Sequence, residues 1–152
     1  MSLMKAYPWF LALMIFACVV VEGSGEDVPF RKLDQGAYSG ITEATNRVIR
    51  AEGDWEKLWK RHGALRVPPE PAPAVDFEKE MVVAVLMGQK PTGGHAVEIK
   101  RIEATASRLR ITVERNEPGP DAIVTQALTA PFHFVAVRRS ELKPEFVAVE
   151  AE

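Results

Sequence analysis

Met81-Val82-Val83-Ala84-Val85-Leu86-Met87 is an unbroken apolar run closed by Gly88. A strand with one wet face alternates apolar and polar residues. A short valine-rich run without that alternation predicts a central strand buried on both faces. Whatever else the chain forms must cover this strand from two sides.

The residues after it continue in strand-like patterns. Lys90-Pro91-Thr92-Gly93-Gly94 is turn chemistry. Val97 and Ile99 alternate with Glu98 and Lys100, and Ile102 then breaks the parity, which predicts a bulge near Lys100-Arg101. Leu109, Ile111 and Val113 alternate with Arg108, Arg110, Thr112 and Glu114. Joined through Thr105-Ala106-Ser107, the two segments read as a hairpin. Asn116 to Asp121 is a Pro/Gly loop. Ile123 to Leu128, Phe132 to Val137 and Phe146 to Val149 read as three more strands.

Ahead of the run, Gly36 to Thr42 and Thr45 to Ala51 read as short strands, and residues 24–35 as a flexible arm. Trp55, Leu58 and Trp59 form a stripe at helical spacing, with Glu56, Lys57, Lys60 and Arg61 on the other face. Asp54 has the chemistry of an N-cap, and Gly63 stands where a left-handed residue closes a helix. The spacing therefore predicts one amphipathic helix over 54–62. It is too short to persist alone, so it must dock by its tryptophans. Pro68, Pro69, Pro71 and Pro73 make residues 64–74 an extended crossing loop. The expected fold is α+β and mainly β. It is a curled antiparallel sheet, barrel- or sandwich-like, with one short helix, and its domain spans 36–150.

Residues 1–23 have a different character. One lysine precedes the run Ala6 to Val21, interrupted only by Pro8, and polar Glu22-Gly23-Ser24-Gly25 follows. That layout predicts a secretory signal. The run has 16 residues, short of the ~20 that a spanning helix needs. Cys18, the only cysteine, lies inside it. Ile15-Phe16-Ala17-Cys18 resembles a lipobox, so lipidation of Cys18 stands beside ordinary cleavage after Gly23 or Gly25. Either outcome places the domain outside the cytoplasm: periplasmic, secreted or lipid-anchored to the envelope. Contact with a membrane is then confined to the signal segment or a lipid anchor.

The 152 residues carry 19 Lys and Arg against 21 Asp and Glu. Without a basic excess, nucleic-acid binding is not expected. His62, His95 and His133 have no metal-ligand spacing, and no cofactor is expected. No serine lies in a Gly-x-Ser-x-Gly elbow, and Glu78 and Glu80 have the spacing of a solvated strand face. The chain does not read as an enzyme. The candidate partner-binding residues are Lys90, Pro91, Thr92, Gly93, Gly94 and His95. Here proline stiffens the chain and paired glycines permit dihedrals that other residues avoid, leaving backbone groups open to a partner.

Taken in order, these segments resemble the PrcB-like family, the PrcB C-terminal domain of a protease-complex stability protein. They are Asp54-Trp55-Glu56-Lys57-Leu58-Trp59, Val75-Asp76-Phe77 before Met81-Val82-Val83-Ala84-Val85, Gly88 through Ile99, and Thr129 through Val137. His95 stands where the family usually shows tyrosine. The resemblance implies an exported bacterial protein that acts by binding rather than catalysis. Its expected partner is another protein, an exported protease or its complex. Two rivals remain open: a protease inhibitor using the Pro-Thr-Gly-Gly loop, and a small-ligand or glycan module using an exposed tryptophan.

Overall fold

The computed structural model describes residues 25–152. Residues 1–23, expected to be a signal segment, and Cys18 among them lie outside the described residues. Eight strands form two four-stranded sheets. They are β1 (Glu26–Asp27), β2 (Phe30–Gly36), β3 (Ala44–Ile49), β4 (Glu80–Met87), β5 (Ala96–Ala104), β6 (Arg108–Asn116), β7 (Phe132–Arg138) and β8 (Lys143–Glu150). One sheet has the order β1-β5-β6-β8 and the other β2-β7-β4-β3. Helix α1 (Glu52–His62) lies on the second sheet. The fold is mainly β, and the sheets do not close into a barrel.

The apolar run is β4, paired on both edges, by β3 and by β7. Its side chains divide by parity, as the pleat requires. Met81, Val83, Val85 and Met87 enter the core between the sheets with Val97, Ile99, Ile102, Leu109, Ile111 and Val113. Val82, Ala84 and Leu86 face α1, where they meet Trp55, Leu58, Trp59, Phe132 and Phe134. Apolar cover on both faces is why the run does not alternate. The bulge read from Ile102 is present: the β5–β6 register shifts between Ile99 and Arg101. It returns both isoleucines to the core.

Several expectations are corrected. Of the flexible arm expected over residues 24–35, the described part, 25–35, is not loose. Glu26 and Asp27 pair with Ala104 and Glu103, and β2 pairs with β7 along its length. The charges of β2 sit on an outermost strand, where only one face and one edge need cover. Of the strand expected over Gly36 to Thr42 only Gly36 is in a strand, as the last residue of β2; 37–42 is a loop with a single bridge, Tyr38 to Ala130. Ile123 to Leu128 is also loop, and Ile123 is fully exposed. β-Branched residues favour strands only where a neighbour pairs with them. The sheets are not wholly antiparallel, since β8 runs parallel to β6. The chain between those two strands crosses to the other sheet as β7, which supplies the long connection that a parallel pair needs.

The helix begins at Glu52, and its N-cap is Ala51, without a side-chain cap. Asp54 therefore lies in the first turn, beside the positive end of the helix dipole. Gly63 has φ −83° rather than a left-handed value, and the chain continues as a 3-10 turn over Gly63–Leu65. The end is closed instead from outside the helix: Gly40 N–H donates to His62 O at 2.8 Å. A Cβ at Gly40 would run into Arg61 O, so only glycine lets the loop lie this close. The proline-rich crossing is pinned by the helix it passes. Trp55 Nε1 donates to Pro73 O at 3.1 Å, and Trp59 Nε1 to Glu70 O at 2.8 Å.

Side chains join the two sheets along one open margin. β1 covers only the C-terminal end of β5. Farther back, His133 Nδ1 on β7 accepts the Ile99 N–H at 2.8 Å, and Gln35 Nε2 on β2 donates to Val97 O at 3.2 Å. A backbone edge that would be buried unpaired is satisfied by the opposite sheet.

Candidate binding surface

Gly36, Ala44, Met87, Ala96, Asn116 and Phe132 lie at one end of the sandwich, as the strand registers require. Three loops meet there: 37–43, 88–95 and 117–131. Their exposed faces carry large apolar side chains. Tyr38 is 64% and Leu128 63% exposed, Ile123 is fully exposed, and Pro91 also faces solvent.

The loop picked out from sequence is rigid for a reason the sequence did not show. Lys90 and Thr129 exchange backbone hydrogen bonds at 2.7 and 3.0 Å. Thr129 Oγ1 donates to Thr92 O at 2.7 Å, Gly93 N–H to Thr125 O at 2.8 Å, and Asn116 Nδ2 to Gly94 O at 3.2 Å. The Lys90 ammonium pairs with Glu117 at 3.1 Å and holds that carboxyl below its usual range. Several of the backbone groups expected to stand open to a partner are thus taken by Asn116 and by the loop 117–131. Gly94 has φ +85°, and a Cβ there would come within 2.9 Å of Val124. Gly93 has no positive φ; it keeps the chain close to Thr125. A bulky substitution at either glycine therefore disturbs the loop's fold before its surface. His95 Nε2 lies 3.4 Å from Thr92 Oγ1, and its buried Nδ1 has no partner among the described residues.

What this end offers a partner is side chains on a braced backbone. Tyr38, Ile123 and Leu128 were missed from sequence because they fell within expected strands. For Ile123 and Leu128, the prolines at 118, 120 and 131 and the lack of alternation between them were the available signal.

A second polar cluster also escaped the sequence. Ser39 Oγ lies 3.0 Å from His62 Nδ1, and His62 Nε2 lies 3.2 Å from Asp34 Oδ2. The order is that of a Ser-His-Asp site, yet a nucleophile needs a reachable oxygen. Ser39 is 3% and His62 1% exposed, and Ser39 Oγ accepts the Ile41 N–H at 3.1 Å. The imidazole is walled by Phe132 at 4.2 Å, Phe134 at 4.9 Å and Trp59 at 5.1 Å between ring centroids. Burial lowers the His62 pKa, the Asp34 hydrogen bond opposing it and the Arg66 charge reinforcing it. Arg66 spans Asp34 and Glu70, each at 2.7 Å. The cluster ties β2, loop 37–43, the helix end and the proline-rich crossing into one clamp. Trp55 and Trp59 are buried in the same layer, which leaves no tryptophan platform on α1 for a sugar.

Residues 81–138 match the family model described as PrcB C-terminal, as the resemblance implied. The matched segment runs from β4 through β7 and includes loops 88–95 and 117–131. That family is one of protease-complex stability rather than catalysis. Neither a curated protein nor a solved structure matches the chain.

Proposed function

We propose that this chain, whose residues 81–138 carry the PrcB C-terminal match, is an exported, non-enzymatic binding domain. It stabilises or assembles an extracytoplasmic protease complex by holding a protein partner on its three-loop end. The observation that carries this reading is the exposure of Tyr38, Ile123 and Leu128 on loops fixed by internal hydrogen bonds. Exposed apolar groups gathered on one rim mark interaction surfaces, and a preformed surface avoids the ordering cost of binding. A partner complex that binds only the folded domain gains stability by mass action, with no reacting group needed. Loop 88–95 contributes Pro91 at the surface and positions loop 117–131 through Lys90, Thr92 and Gly93.

Affinity purification of the tagged full-length protein from its source cells tests the proposal. The wild type is expected to bring down a protease or a protease subunit whose autolysis slows when the domain is present. Replacing Tyr38, Ile123 and Leu128 together by aspartate is expected to remove that protein at least tenfold while leaving the thermal midpoint unchanged. An undiminished capture moves the interface elsewhere. Loss of the protease's activity, in place of slower autolysis, makes the domain an inhibitor.

A further inference from the structure

On the opposite edge of the helix-covered sheet, β3 is the outermost strand. It leaves the backbone N–H and C=O groups of alternate residues without a strand neighbour. Beside that edge runs the stripe Asp54, Lys57, Leu58 and Arg61 of α1, and with Arg47 and Ile49 of β3 it lines one groove. Arg50 also borders it, but its guanidinium donates to Ser140 O and Leu142 O. The groove is strongly cationic in a chain whose net charge is −2. Asp54 is its only carboxylate. Arg61 meets Glu43 at 3.2 Å, but both groups are more than half exposed, and an exposed pair of this kind is readily exchanged for another anion.

An unpaired strand edge beside a helix is the geometry in which an extended peptide adds to a sheet, its backbone supplying the bonds and alternate side chains the selectivity. We infer that the β3–α1 groove takes an extended acidic peptide segment as an additional strand. Backbone groups of β3 pair with the peptide, and Arg47, Lys57 and Arg61 receive its carboxylates. The apolar residues between those carboxylates point to the opposite face of the sheet, beside the half-buried Val48. The charge calls for an anion, and the free ladder of backbone groups calls for a polypeptide rather than a lipid headgroup or a phosphate chain. This surface borders the three-loop end through the exposed Arg61–Glu43 pair, and the inference stands independently of the reading of that end.

The test is a titration of the ¹⁵N-labelled domain with a capped octapeptide of alternating glutamate and valine. The amides of Ala44–Ile49 are expected to shift, and the alternate ones that face away from β4 to exchange more slowly with solvent, as a new strand covers them. The Lys57→Glu, Arg61→Glu double variant changes only exposed side chains. It is expected to bind at least tenfold more weakly, and the lysine–valine peptide not to bind. A peptide N-methylated at alternate residues cannot pair and is expected to leave the β3 amides unchanged. The inference is overturned if the β3 amides do not respond at millimolar peptide, or if the N-methylated peptide binds equally well. It is also overturned if inorganic polyphosphate or phosphatidylglycerol vesicles protect the same amides as strongly.

Discussion

Trp55→Ala is expected to destabilise the domain by ~3–5 kcal/mol in urea unfolding, the range for large aromatic truncations in cores. Trp55 is almost fully buried. Its ring meets Phe134 edge-on at 5.7 Å and Trp59 at 5.4 Å, measured between centroids. Truncation leaves a cavity between α1 and β4, and it leaves the Pro73 carbonyl without its indole donor. Helix and proline-rich crossing then loosen together, because each holds the other. Trp55→Phe keeps one ring but loses the indole N–H and the second ring's packing, so an intermediate cost of about 1–3 kcal/mol is expected. A loss below ~1 kcal/mol for Trp55→Ala would show that α1 does not dock by this face.

The second large effect is acid destabilisation through His133. Its Nδ1 accepts the Ile99 N–H, so the proton of the neutral ring sits on Nε2, which is buried without a partner among the described residues. Burial lowers its pKa from 6.5 to about 4, with Glu98 opposing the shift and Lys32 adding to it. The unfolded chain therefore takes up a proton at higher pH than the folded one. Stability from this group is full above pH ~6.5 and is lost as pH falls toward about 4. Over that window the loss amounts to roughly 2–3 kcal/mol. His62, also lowered by burial, acts in the same direction. In His133→Asn the amide oxygen can still accept the Ile99 N–H while nothing titrates. Urea midpoints measured from pH 7.5 to 4 are expected to fall less steeply for this variant than for the wild type. Parallel curves would mean that His133 is charged, or free to become so, in the folded state.

Sequence made some of this plain and concealed the rest, for physical reasons. β4 was legible because burial on both faces removes alternation. The β5 bulge was legible because Ile99 and Ile102 cannot share a face without it. The stripe of Trp55, Leu58 and Trp59 located α1, whereas its start and end depend on the Ala51 backbone and on Gly40 from another loop. β2 was hidden because Arg31, Lys32, Asp34 and Gln35 lie on an outermost strand, held by backbone pairing with β7 rather than by side-chain pattern. The Ser39, His62, Asp34 and Arg66 clamp draws on segments far apart in the chain, so no spacing announces it. In loop 88–95 the turn chemistry was visible, but the contact with loop 117–131 that fixes it was not.

The claim on which the functional account rests is that the three-loop end is where a protease complex is held. Site-specific photo-crosslinking in the source cells tests it most directly. A benzophenone amino acid is placed at Ile123 on that end and, separately, at Lys100, an exposed residue of β5. The account predicts one discrete adduct from position 123, identified as a protease or a protein bound to one, and none from position 100. The same adduct from both positions, or from position 100 alone, would contradict it.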